Sequence, residues 1–323
     1  MGISIIIPVY NVEPYITDCL QSVMRQTYQG SLECIIVDDC GTDKSIEIAE
    51  RLIADYEGPI EFRIVHHEHN RGLSAARNTG KDAATGDYVY FLDSDDFIDE
   101  DTITILWNGL KDTDYVMAIG YACAYRQGVD EVFRKDWLFE TPKELHYSQF
   151  LSKMLMQKSI FTAWGKLFEK DLIDKVNFRE GRINEDTLFM MDLAPIIEEN
   201  KLNSIELPLY SYHYRMRDES ICHQSVYRLD IAYVENIALA IERYKDRYEL
   251  VSWLKKDQIR RALGAVRNRD IDKKSFFTVS KYIRVADNKI IREVTSKKGY
   301  VRMLLVKYSP HLMWVLGHKL KVI

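Results

Sequence analysis

The first hundred residues alternate between two kinds of apolar pattern. A continuous run, "ISIIIPV" (3–9), reads as a strand buried on both faces, as in a parallel sheet. Ile16, Cys19, Leu20, Val23 and Met24 then recur at helical spacing. "ECIIVDD" (33–39) follows about thirty residues after the first run, the length of a βαβ unit. Ile46, Ala49, Leu52 and Ile53 form a second helical stripe, and "EFRIVHH" (61–67) a third strand. Ser74 is placed to cap a helix through "AARNTGKDAA" that Gly86 ends, and "DYVYFLD" (87–93) is the fourth strand. This alternation predicts an α/β domain with helices on both faces of a mostly parallel sheet.

Beyond residue 100 the period is weaker. "YVMAIGYACAY" (115–125) reads as one further strand, "YSQFLSKMLMQ" and "EDTLFMMDLAPII" as helices, and the chain after about residue 225 as mainly helical. The net charge of -5 hides an asymmetry. Residues 251–323 hold 18 Lys/Arg against 5 Asp/Glu, a balance of +13, which leaves 26 against 44, or -18, for residues 1–250. Such a split predicts a separate basic C-terminal part able to face a membrane, a nucleic acid or an acidic partner. The segment "VRMLLVKYSPHLMWVLGHKLKVI" mixes apolar and basic residues around Pro310, a pattern that suits either an anionic membrane surface or a terminal helix docked on its own domain.

At 323 residues, 46% hydrophobic and 29% charged, the chain has an ordinary globular composition and can build one large domain with an appendage, or two. No basic leader precedes the first strand and no uncharged run nears the ~20 residues that span a bilayer, so a cytoplasmic protein is expected. Cys19, Cys34, Cys40, Cys123 and Cys222 form no CxxC pair, which predicts idle thiols in a reducing compartment.

In an open sheet of this kind, ligands bind beyond the carboxyl ends of the strands. Three strand ends carry notable residues: Pro8, Tyr10 and Asn11; Asp38 and Asp39; Asp93, Asp95 and Asp96. In "FLDSDDF" an apolar run ends in three carboxylates out of four positions, which repel one another unless a cation is shared. Asp93 and Asp95, at i and i+2, can address one hard cation through oxygen. Ile98 and Thr104, where an EF-hand needs Gly and Glu, exclude that loop. Taken alone, a DxD is more often a solvated turn. Asp38 reads as structural, while Asp39 serves equally as a helix cap or as a partner for a base or ribose. Arg71 and Arg77, near the start of the third helix, suit a phosphate or a base edge, or a salt bridge to a neighbouring loop.

"IIIPVYN", "VDDCGTDKS", "NRGLSAARNTG" and "FLDSDDF", in this order, resemble the nucleotide-sugar half of the family 2 glycosyltransferases. The resemblance resumes at "AWGKLF" (163–168), "NEDTLF" (184–189) and "YHYRMRDESI" (212–221). It implies a GT-A fold, a Rossmann-like, mostly parallel sheet flanked by helices, over residues 1–222. A nucleotide-sugar half spans about 1–100 and an acceptor half 101–222, ahead of a basic, mainly helical region over 223–323. By resemblance, Pro8, Tyr10, Asp39, Asn70 and Arg77 surround the base and ribose. Asp93 holds the ribose or a metal-bound water, and Asp95 coordinates Mg²⁺ or Mn²⁺ on the diphosphate. Asp186 is the general base and Glu185 positions the acceptor, where without the resemblance both read as carboxylates favoured at a helix N-terminus. Arg215 and Arg217 alternate in "HYRMRDES" and suit a clamp on the diphosphate as a lid closes, or pairing with surface acids, while Trp164 and Lys166 suit the acceptor site, or for Trp164 the core. Family members more often have Gly-Ser where this chain has Cys40 and Gly41, and an aromatic where it has His213.

The implied activity is metal-dependent, inverting transfer of a sugar from a nucleoside diphosphate, a UDP-sugar first, to a hydroxyl of a saccharide or lipid-linked acceptor. The setting it implies is bacterial surface polysaccharide synthesis; no nucleic-acid partner is expected, and the basic C-terminus suits peripheral contact at the inner face of the plasma membrane. Two other readings remain: a non-catalytic nucleotide-sugar-binding scaffold, against which "DSDD" and "NED" both stand, and an aspartate-nucleophile phosphatase, which usually has Thr or Val where Phe97 lies. A dehydrogenase is disfavoured because no GxGxxG follows the first strand.

Overall fold

The computed structural model describes residues 1–126, 129–132, 139–157, 160–216, 226–268 and 270–315. It divides into two compact units, Met1–Arg217 and Asp218–Ile323.

The first unit opens with β1 (Gly2–Val9), α1 (Ile16–Met24), β2 (Ser31–Asp38), α2 (Ser45–Ala54), β3 (Glu61–His66), α3 (Leu73–Ala83) and β4 (Tyr88–Phe91). β5 (Phe97–Ile98), α4 (Thr102–Leu110), β6 (Met117–Ile119), β7 (Ala122–Arg126), β8 (Val129–Val132), β9 (Lys143–Leu145) and α5 (Tyr147–Ser152) follow. α5 runs into a π-turn at Lys153–Gln157, and β10 (Lys166–Glu169), α6 (Lys170–Ile173), α7 (Glu185–Glu199), β11 (Ser204–Glu206) and β12 (Tyr212–Arg215) complete the unit.

Eight strands form one sheet in the order β3-β2-β1-β4-β10-β6-β11-β9. The first four are parallel, β10 is antiparallel to both neighbours, and β11 is parallel to β6. Ile5, Ile6, Ile7, Cys34, Ile35, Ile36 and Val37 are fully buried, because helices cover the sheet on both sides as their unbroken apolar run requires. A second sheet has the order β5-β12-β7-β8. Residues 115–125, expected as one strand, are two strands in different sheets. Gly120 N donates to Gly165 O and Tyr121 N to Leu209 O, so the chain crosses between sheets there.

Strand order reverses between β1 and β4, and a crevice opens beyond their carboxyl ends at such a point. Pro8 fits inside β1 for a local reason. Ile6 O accepts from Leu92 N and Val9 O from Asp39 N, so Pro8 faces the β4 side just past Phe91, where no ladder partner remains.

The cap of α3 differs from expectation. Gly72, at φ +85°, precedes the helix, and Ser74 is buried inside it. The helix ends because Ala84 is extended, two residues before Gly86. Gly86 serves a different need: a Cβ there would lie 2.9 Å from the backbone of Gly2. Gly80 lets α3 approach the sheet, since its Cβ would lie 2.3 Å from Ile6 Cγ2 and 3.2 Å from Val37 Cγ2.

The second unit is helical: α8 (Val226–Arg243), α9 (Tyr248–Arg267), α10 (Lys273–Val285), α11 (Asn288–Val294), α12 (Lys297–Tyr308) and α13 (Pro310–Trp314). Its own core gathers Val234, Ile259, Phe276, Val279, Ile283, Ile291, Met303, Val306 and Met313. Pro310 starts α13 at the position where its missing N–H costs nothing. Part of the terminal apolar pattern is therefore internal packing, while Val301, Tyr308 and Leu312 remain exposed. No described helix is long and apolar enough to cross a membrane.

Gly80→Ala should destabilise the protein by about 1–3 kcal/mol through overpacking against the β-branched Ile6. Denaturant unfolding at constant m-value checks this; an unchanged midpoint would mean that α3 can lift from the sheet freely.

Candidate active site

The strand ends of β1, β2 and β4 meet as expected. Tyr10 stands 48% exposed past β1, with Asn11 in a left-handed conformation at φ 52°. Asn11 Oδ1 accepts from Thr42 N at 2.7 Å, which ties this end to the loop after β2. In that loop Cys40 has φ 55°, and its Sγ donates to His67 O.

Asp38 pairs with His66 Nδ1 at 2.9 Å and accepts from Cys40 N, a structural role as expected. Asp39 was expected beside the base and ribose. The structure buries it to 2% exposure and fills both of its oxygens. Oδ1 accepts from Arg71 N at 2.7 Å and lies 2.8 Å from His67 Nδ1. Oδ2 accepts from Gly72 N at 2.8 Å and from Asn70 Nδ2 at 2.9 Å. Four partners match the lone-pair capacity of a carboxylate, so Asp39 moulds the 67–72 loop from within. The exposed Asn70 is held against Asp39, and Arg71 reaches Glu180 at 3.1 Å.

Arg77 takes the salt-bridge reading that its sequence position left open. It is 1% exposed and faces three carboxylates rather than a base. Its Nη2 donates to Asp93 Oδ1 at 2.7 Å, and its Nη1 to Glu185 Oε1 at 2.7 Å and Asp186 Oδ1 at 2.6 Å. The guanidinium carbon lies 5.3 Å from the centroid of Phe178, which stacks at 4.0 Å on Phe189 of α7. One side chain of α3 thus joins the end of β4 to the start of α7.

Two more α3 side chains reinforce the join. Asn78 exchanges both amide hydrogen bonds with the backbone of Phe178, and the buried Lys81 Nζ donates to Val176 O and Asn177 Oδ1. Neither residue stood out in the sequence. Their only signal there was polarity on a face of "ARNTGKDA" that helical period turns inward.

Asp93 is 21% exposed, with Oδ1 on Arg77, and Asp95 is half-buried. Asp96, noted at the strand end but given no role of its own, is 1% exposed. It accepts from Tyr212 OH and from Arg215 N, each at 2.8 Å. Burial, then Asp95 and Asp93, push its carboxyl well above the usual range. Among the described residues, no three His, Cys, Asp or Glu side chains form a group able to hold a metal by themselves. Two hard carboxylates, Asp93 and Asp95, do fit a divalent cation of the Mg²⁺ type that completes its shell with phosphate and water.

Arg215 Nε donates to Asp95 O and its Nη2 to Asp18 Oδ2, each at 2.9 Å. The rings of Tyr15, Phe97 and Tyr125 surround its guanidinium at 5.2–5.3 Å. It braces the acidic turn and pairs with an exposed acid of α1, the second of the two readings its sequence allowed. Arg217 lies outside the described residues. His213 stacks on Phe97 at 4.4 Å and bonds Asp99 Oδ1 at 2.8 Å.

Asp186, the second residue of α7, is 14% exposed at its side chain. Burial raises its pKa, Arg77 opposes that, Glu185 and Asp93 add to it, and the result is about 7. A backbone hydrogen bond from Ala163 holds it beside the "AWGKLF" turn, where Gly165 has φ 73°. Trp164 stacks on Tyr212 at 4.4 Å and remains partly exposed. Lys166, 2% exposed, donates to Thr162 Oγ1 and Trp164 O. Burial lowers its ammonium to about 7 against the pull of Asp186 and Glu206. Glu206, buried on β11, meets Tyr121 OH and Lys153 Nζ. The expected base and the expected acceptor residues therefore lie in one electrostatic neighbourhood.

The first unit is thus an α/β sheet with carboxylates beyond a strand-order switch point and a buried carboxylate tied to them through Arg77, the place where open sheets of this kind bind ligands. Residues 4–176 match glycosyl transferase family 2. The chain is 31% identical over 221 residues to the glycosyltransferase GlyA of Streptococcus pneumoniae, covering 66% of this chain and 30% of that one. It is 32% identical over 224 residues to the uncharacterized glycosyltransferase EpsJ of Bacillus subtilis, covering 65% and 60%. It thus spans less than two thirds of either relative. A solved structure of residues 1–349 of Staphylococcus aureus TarS, in complex with UDP-GlcNAc, superposes with a TM-score of 0.72 at 18% identity, over 99% of this chain and 91% of that one. The chain belongs to glycosyl transferase family 2 and carries that family's transferase domain, with the GT-A sheet and a helical C-terminal region.

Asp39→Asn should cost about 2 kcal/mol, because an amide nitrogen would face donors that the carboxylate now accepts. Hydrogen exchange at Arg71 and Gly72 should accelerate with the loss; unchanged exchange would remove Asp39 from the loop's support.

Proposed function

We propose that the chain transfers a sugar from a nucleoside diphosphate to an acceptor hydroxyl in one in-line displacement that inverts the anomeric carbon. The carrying observation is the placement of Asp186: a buried carboxylate, pushed up to about 7, fixed opposite the acidic end of β4 by one arginine. An acceptor hydroxyl becomes a competent nucleophile only as its proton leaves, and a base with a pKa near 7 suits that task at neutral pH. As the acceptor oxygen bonds the anomeric carbon, the bond from that carbon to the diphosphate oxygen breaks, Asp186 takes the proton, and the nucleoside diphosphate departs. Glu185 orients the acceptor, with Trp164 offering an aromatic face to a sugar ring and Lys166 standing beside it.

On the donor side, Tyr10 offers an exposed ring to the base. Pro8 and Asn70 shape the crevice, Asp39 holds its loop, and Arg215 supports the acidic turn from beneath. Asp95 and Asp93 would hold Mg²⁺ or Mn²⁺, which supplies charge to stabilise the departing diphosphate. The TarS complex with UDP-GlcNAc makes UDP-sugars the first donors to test. A saccharide or lipid-linked acceptor of bacterial surface polysaccharide suits the family. The basic second unit, with Val301, Tyr308 and Leu312 exposed, suits peripheral contact with an anionic membrane. Free thiols at Cys19, Cys34, Cys40 and Cys123 fit the cytoplasmic side.

Calorimetry should show UDP binding that requires Mn²⁺ and is lost in Asp95→Ala; failure with UDP, GDP and dTDP alike would overturn the donor reading. Transfer should rise with pH as Asp186 ionises through about 7. Asp186→Asn should lower kcat by about 10²–10⁴-fold and flatten that limb, while leaving UDP bound at saturating Mn²⁺. An unchanged kcat would exclude Asp186 as the base.

A further inference from the structure

The transfer just described assigns no step to Arg77, the residue that touches both of its ends. The guanidinium is committed to the two sides separately, Nη2 to Asp93 and Nη1 to Glu185 and Asp186. Its Nε is buried with no hydrogen-bond partner among the described residues, so the side chain forgoes one hydrogen bond to keep this geometry. The mount is stiff. The guanidinium carbon sits over the Phe178 ring, Asn78 and Lys81 fasten the same helix to residues 176–178, and Gly80 seats it against β1 and β2.

We propose that Arg77 is a positioning residue that couples the donor end of the site, at Asp93, to the acceptor end, at Glu185 and Asp186. This rests on the roles given to those carboxylates above. One cation shared among three carboxylates cannot serve all of them fully. Whatever weakens its hold on the Glu185/Asp186 side strengthens its hold on Asp93. A divalent ion arriving at Asp93 relieves that side and lets the guanidinium draw Asp186 into place. By linkage the effect is reciprocal, so neutralising Asp186 must weaken cation binding at Asp93. A lysine, being a compact point charge on a flexible stem, keeps the charge but cannot span both sides as a planar fork does.

The test uses the full chain with UDP present, titrated with Mn²⁺, in the wild type, Asp186→Asn, Arg77→Lys and the double variant. Asp186→Asn should weaken Mn²⁺ binding about tenfold when Arg77 is present and no more than about twofold in the lysine background. Equal weakening in both backgrounds would mean that the two ends interact directly through space, and the coupling role would be overturned. An arginine that only stabilises the fold would lower the melting temperature of Arg77→Lys and leave the cross-effect intact. A second arm needs neither nucleotide nor a folded Arg77 variant. With Arg77 in place, Asp93→Asn should change amide exchange in residues 186–190, and Asp186→Asn should change it in residues 92–96. If each substitution acts only within its own segment, the proposal fails. Should UDP not bind the wild type at all, the donor reading falls, and the exchange arm alone decides for or against the coupling.

Discussion

A buried guanidinium with carboxylates on two sides is the interaction on which the rest of the site depends. At about 4 Å and an effective dielectric near 20, each unit-charge pair is worth about 4 kcal/mol, attraction and repulsion alike. Asp93, Glu185 and Asp186 therefore cannot share one small volume without Arg77, and Arg77 could not be buried without them. Burial by itself would lower the arginine's pKa, yet Asp186, Asp93 and Glu185 together raise it well above its ordinary value. The balance still leaves the cluster negative. That residual charge suits a divalent cation on one side and adds to the raised proton affinity of Asp186 on the other.

This electrostatic arrangement needs a rigid mount, and α3 supplies it. The helix lies close on β1 and β2 because residue 80 has no side chain, and it begins where Asp39 gathers the backbone of Arg71 and Gly72. Its inward polar face then carries Arg77, Asn78 and Lys81 to the segment that leads into α7. A second brace runs under the acidic turn, where Tyr212 and Arg215 of β12 hold Asp96 and the carbonyl of Asp95. The loop "DSDD" is thus supported by β12 and by α3, which holds Asp93 and Asp95 in place before any ligand arrives. Preorganisation of this kind lowers the reorganisation needed during reaction.

The charge asymmetry of the sequence follows the division into units. Acidic residues gather in the unit that holds the candidate active site, while the basic excess belongs to a helical unit with its own core. Negative charge around the site suits a cation, and a basic surface elsewhere suits an anionic partner. The two charges are separated along the chain.

The sequence by itself determined the alternation of strands and helices, the parallel sheet and the meeting of three strand ends, because hydrophobic period and chain connectivity are local properties. It also carried the family through "IIIPVYN", "NRGLSAARNTG", "FLDSDDF" and "NEDTLF". Only the tertiary structure decided which polar groups face one another. Arg77 and Asp186 are 109 positions apart, and nothing in either neighbourhood announces the other. The same holds for Asp96 with Tyr212, and for Asp39, whose four partners come from the loop it organises. Hydrogen bonds and ion pairs depend on distances set by the packing of whole elements, so a residue type states what a side chain can bind, and the fold alone selects its partner.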